Sequence, residues 1–128
     1  MNKSKEHNVF GEVLEICSCE PMTGFLRDGY CHTHQQDYGR HFVCAIVDET
    51  FLEFTKSKGN DLSTPNPAYQ FPGLNAGDQW CLRVMRWLEA EKAGFAPKLV
   101  LESCHEAALQ FTSLELLVKY AHRYKDLT

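Results

Sequence analysis

Residues 41–47, HFVCAIV, form an unbroken apolar run rich in β-branched and aromatic side chains, the pattern of a buried strand. The period then changes, and Phe51, Leu52, Phe54 and Thr55 recur at helical spacing. Thr50 and Glu53 have the form of a capping box, Asp48 is a rival N-cap and Gly59 is a natural stop, so a helix is predicted over 48–58. Residues 60–67 follow as a polar loop with prolines at 65 and 67.

The same reading extends along the rest of the chain. Residues 9–16 are a short apolar segment, and Gly11 near its start favours a strand or extended arm over a helix. Residues 17–40 are crowded with turn formers (Pro21, Gly24, Asp28, Gly29, Asp37, Gly39) and read as a long ordered loop with room for a short hairpin. A loop of that length inside a compact domain is functional or pinned by something. Turns continue through 66–78. Trp80, Val84, Trp87 and Leu88 then follow helical spacing, while Trp80, Leu82 and Val84 also alternate as a strand would. A helix is expected over at least 84–93, closed by Gly94, with 80–82 open between the two. Residues 98–104 read as a second buried strand and 105–109 as one helical turn. Thr112 and Glu115 make a further capping-box pattern ahead of an amphipathic helix over 114–123.

These elements predict an α+β fold: a small two-layer sandwich, with a short mixed sheet, helices packed on one face and a long ordered N-terminal loop. The two apolar strands suit central positions. The segments from Gly39 and from Gly77 echo one another faintly, each running past a cysteine into a helix and a glycine stop, but so few positions match that the echo reads as coincidence.

The chain has 128 residues, enough for a hydrophobic core without staples, so one domain over 9–128 is expected behind a disordered tail, 1–8. The net charge is -4 and lysine and arginine are nowhere collected, which argues against nucleic-acid and anionic-membrane partners. No apolar run approaches the ~18 residues of a membrane span. The polar N-terminus lacks a signal core, so a cytoplasmic location is expected, with the six cysteines reduced.

Candidate chemistry is concentrated in the loop and the strand after it, which carry Cys17, Cys19, Cys31, His32, His34, His41 and Cys44. Thiolate and imidazole suit zinc or iron, although no C-x2-C pair exists. Cys44, mid-strand, and Cys81, beside Trp80, read first as small buried hydrophobes. Cys17 ends an apolar segment at a loop mouth, where Arg27, His41 or His105 could activate its thiolate. His105-Glu106 does not open a zincin motif, because position 109 is Leu. The loop around Asp61 offers polar groups to a ligand, yet reads first as side chains bonding their own turn. Arg27-Asp28 reads as a turn salt pair before an anion site. P-loop, dinucleotide and nucleophile-elbow motifs are absent from the sequence.

The phrases CSCEPMTGFLRDGYC, GRHFVCAIVDETFLEFTKSKGNDLSTP, FPGLNAGDQWCL and LESCHEAAL together resemble a bacterial family known only as domain of unknown function 2237. The resemblance spans about residues 9–117 and implies a small two-layer α+β fold and no particular activity. Cys17, Cys31, Cys44, Cys81, His41 and His105 stand where the family's motifs carry the same residue types; Cys19, Cys104 and His34 do not. Tyr30 and Arg83 replace cysteines that the family often has, which weakens any vicinal-thiol mechanism.

Three functions follow. The first is a binding protein whose Cys/His-lined pocket, built from Cys17, Cys31, His41 and His105, takes a metal ion or small ligand, with Cys44, Cys81, Arg27 and Asp61 as secondary candidates. The second is a thiol-dependent enzyme using Cys17 or Cys31 with a histidine. The third is a structural or partner-binding domain in which the cysteines only pack.

Overall fold

The computed structural model describes residues 6–122. Strand β1, Val43–Ile46, lies between β2, Gln79–Leu82, and β3, Lys98–Leu99, in the order β2-β1-β3. Both pairings are antiparallel, so the sheet among the described residues is not the mixed one expected. The long connections between strands each carry a helix, and that length lets the chain return in either direction. The two echoing segments turn out to be neighbours: β1 pairs with β2, and Cys44 faces Cys81 directly. Residues 80–82, left open between helix and strand, are strand.

Helix α1, Glu49–Ser57, begins at Asp48 rather than at the Thr50–Glu53 box: the Phe51 N–H donates to Asp48 Oδ1 at 2.7 Å. It buries Phe51, Leu52 and Thr55. Helix α2, Val84–Ala93, buries Val84, Trp87 and Ala90 at successive turns and ends on Gly94 in the left-handed conformation. The buried side chains of both helices join those of β1 and β2 in one core. The result is a small α+β fold.

Two expected elements are shorter. The strand predicted over 98–104 stops at Leu99 and gives way to a 3-10 turn, Leu101–Ser103. The reason lies in the N-terminal arm: Glu15 N–H and the Asn8 side-chain amide donate to Glu102 O, and Val9 N–H donates to Cys104 O. Those carbonyls are therefore spent on the arm and not on the sheet. β3 is consequently an edge strand, and its outer side is covered by the 120–122 segment, whose Tyr120 O accepts from Leu99 N–H. The helix predicted over 114–123 is α3, Leu114–Val118, capped by Ser113 and not by Thr112; residue 123 lies outside the described residues.

The arm itself forms isolated bridges and no strand. Of the expected tail, residues 1–5 lie outside the described residues. Residues 6–8 are part of the fold, because Asn8 is fully buried and its Oδ1 accepts from the N–H groups of Phe10 and Glu12. Residues 17–40 form an ordered loop of turns. No helix among the described residues is long and apolar enough to cross a membrane.

Candidate functional site

The expectation of free thiols is overturned at four positions. Cys17 is bonded to Cys44 and Cys31 to Cys81, leaving Cys19 (exposed) and Cys104 (buried) as the free cysteines. Cys44 and Cys81 are thus more than small hydrophobes, and Cys17 and Cys31 are not free nucleophiles. The physical cause is the sheet: pairing β1 with β2 sets two cysteines side by side, and the long loop lays two more over them. Both bonds pin that loop, which is why it stays ordered without helix or strand. The Sγ atoms of Cys17, Cys31 and Cys81 lie within 4.8 Å of one another.

Beside this cluster is a cleft of about 1050 Å³. Its walls come from residues 24–27 of the long loop, the polar loop 60–71, and the 80–83 stretch running from β2 to the start of α2; His41 and Cys81 also line it. Phe25, Tyr69, Phe71 and Trp80 supply aromatic surface.

His41 is oriented by Asp37, a residue that sequence reasoning did not single out. Asp37 is buried, its Oδ2 accepts the His41 main-chain N–H at 3.0 Å, and its Oδ1 lies 2.6 Å from His41 Nδ1. Their four-residue spacing sits in a loop, where it implies no common face, so no periodic signal existed. Burial pushes the His41 pKa below its ordinary value, more than the Asp37 carboxylate raises it; Arg83 and Arg27 push the same way as burial. The neutral ring bonded to Asp37 through Nδ1–H keeps Nε2 as an acceptor.

Arg27 has backbone φ of 56°, the left-handed region, and its side chain lines the cleft. Nη1 donates to Gly24 O at 2.7 Å, Nη2 donates to Tyr69 O at 3.0 Å, and the group lies 5.1 Å from the Trp80 ring centroid. Its Nε is buried without a hydrogen-bond partner, and burial lowers its pKa. The expected Arg27–Asp28 pair does not form; Asp28 instead lies 2.8 Å from His32 Nε2. Among the described residues no carboxylate pairs with Arg27 or with Arg83. Asp61 behaves as its turn predicts, accepting from the N–H groups of Ser63 and Thr64 and from the Thr64 hydroxyl.

The family described as "Uncharacterized protein conserved in bacteria (DUF2237)" matches residues 7–121. The chain belongs to that family. Curated proteins give no match.

His105 has other company. Its main-chain N–H donates to Phe42 O at 2.8 Å, beyond the 3-10 turn that follows β3. Its ring turns to Glu6, with Nε2 2.8 Å from Oε1, while Nδ1 accepts from Ala107 N–H. Glu6 Oε1 also lies 3.3 Å from His32 Nδ1. The structure therefore brings Cys17, Cys31, Cys44 and Cys81 together, sets His41, Arg27, Asp61 and Cys81 on the cleft, and places His105 with Glu6 and His32. Trp80, Arg83, Asp37 and Glu6 are the participants that sequence reasoning missed. Arg83 had one signal, its departure from the family pattern.

Proposed function

We propose that this protein binds a small anionic ligand with a planar apolar part in the cleft between the long loop and the polar loop. The observation that carries this reading is Arg27, a cation pinned on the cleft wall by carbonyls and an aromatic face with no compensating carboxylate. Arg83 adds a second unpaired cation, His41 an imidazole, and the exposed Phe25 and Tyr69 with Phe71 a surface on which a ring can lie. A guanidinium fixed in this way loses little freedom when an anion arrives, which favours binding. The Cys/His lining expected from the sequence is represented there by Cys81 and His41. Metal binding belongs to the sulfur cluster and is taken up below.

We propose a cytoplasmic location. Cys19 is an exposed thiol two positions from a half-cystine, and such a thiol promotes exchange wherever disulfides are kept oxidised. In a reducing compartment both disulfides become reversible.

The test is a thermal-shift panel of aryl carboxylates, aryl phosphates and matched neutral aryl alcohols, followed by titration on tryptophan fluorescence. The anions should raise the melting temperature and alter the Trp80 signal while the alcohols do neither. Arg83→Gln should weaken binding by about fivefold, as loss of roughly 1 kcal/mol of partly solvated charge pairing implies. Equal binding of the neutral compounds, or no binding of any anion at millimolar concentration, would overturn the reading.

A further inference from the structure

Cys44 and Cys81 are direct partners across the β1–β2 pair, so both side chains leave the same face of the sheet. Their bonding partners come from one loop, and three of the four sulfurs already lie within 4.8 Å of one another. Cys44 Sγ lies outside that group but is covalently joined to Cys17. All four residues are at most 4% exposed. Two disulfides serving only to staple a loop have no reason to meet. Three gathered sulfurs, with a fourth bonded to one of them, are a donor set.

We infer that this cluster is a redox-gated zinc site. A dithiol reductant opens each disulfide by giving up two electrons and two protons, and leaves as its own disulfide. One Zn²⁺ then displaces the four thiol protons and is held by the thiolates of Cys17, Cys31, Cys44 and Cys81. Zn–S bonds of about 2.3 Å in a tetrahedron set the sulfurs about 3.8 Å apart. Cys17, Cys31 and Cys81 reach that spacing by side-chain rotation, and Cys44 is the ligand that must swing. Cα separations of 5.7 and 5.3 Å within the pairs let the sulfurs part without moving β1.

A buried set of four thiolates with no open position is the pattern of a structural zinc site. The surrounding groups suit thiolate charge as well. Gln79 Nε2, anchored to Cys17 O at 2.6 Å, reaches Cys44 Sγ at 3.9 Å. Zinc keeps both links between loop and sheet, so the reduced chain retains the fold. Two equivalents of a small-molecule disulfide, each taking two electrons and two protons and leaving as thiols, re-form both bonds and release the ion.

The experiment uses the full chain. It is reduced with dithiothreitol, desalted without oxygen and titrated with Zn²⁺ alone, beside the oxidised chain. One zinc per reduced chain and none on the oxidised chain is the expected result. Co²⁺ in place of zinc should give thiolate-to-metal charge-transfer absorption, which reports sulfur ligation in the unaltered protein should a cysteine variant fail to fold. Cys19→Ser with Cys104→Ser should leave the stoichiometry at one. Cys44→Ser and Cys81→Ser should each weaken binding by roughly tenfold or more, since even loss of an outer partner costs about that. No uptake by the reduced chain, equal uptake by the oxidised chain, no charge-transfer band, or unchanged affinity in both ligand variants would overturn the inference.

Discussion

Burial keeps His41 and His105 on the neutral side of their ordinary titration, although each ring faces a carboxylate, Asp37 in one case and Glu6 in the other. Their folded-state pKa values lie below the ~6.5 of an unfolded histidine. Between those values the unfolded chain binds a proton that the folded chain refuses, so stability falls as pH drops through that window and is level above it. The urea midpoint should accordingly fall between pH 7.5 and 5.5, with a shallower slope when His41→Gln and His105→Gln are combined. A midpoint that rises on acidification, or a slope untouched by the double variant, would contradict this account. The two free cysteines should differ just as clearly. Cys104 is fully buried, accepts the Cys44 N–H, and has its thiol pushed up to about 12 by burial. Iodoacetamide on the oxidised native protein should therefore add once, at Cys19, and a second adduct on intact protein by mass spectrometry would be the contrary result.

At the level of elements, one junction starts α1 and another shapes the cleft wall. Asp48 ends the connection from β1 and caps α1, satisfying the Phe51 N–H. Asp48→Ala should cost about 1 kcal/mol in chemical denaturation, as loss of an N-cap does. Gly24 makes the turn that carries Phe25 and Arg27 into the cleft wall. Its φ is 95°, and a Cβ there would collide with Tyr30 O. Gly24→Ala should therefore cost about 1–3 kcal/mol and weaken anion binding with it. A neutral effect of that substitution on both readouts would show that the turn does not set the Arg27 position.

For the molecule as a whole, the disulfides tie the long loop to β1 and β2 across separations of 27 and 50 residues. Chain entropy assigns about 4 kcal/mol to each closure, less than additive because both restrain the same loop. Metal-free reduction should thus lower the melting temperature by many degrees, and the loop should gain amide exchange before the sheet does. Uniform loss of protection across loop and sheet would mean that the loop and the sheet unfold together.

Local pattern on its own determined β1, α1 and α2, because a strand of β-branched residues and helices with periodic apolar faces carry their structure in nearest-neighbour terms. It also marked the loop 17–40 as functional or pinned, from its length and its turn formers, and Cys17, Cys31, His41 and Arg27 as chemically suggestive. Tertiary structure alone decided strand direction, the truncation of β3 by the N-terminal arm, and the pairing of cysteines 27 and 50 residues apart. It also divided the histidines, sending His41 to Asp37 and the cleft and His105 to Glu6. The physical reason is common to all of these. Each depends on which distant backbone carbonyl, carboxylate or sulfur arrives within a few ångströms, and that is fixed by the register of β1 against its neighbours, not by any spacing along the chain.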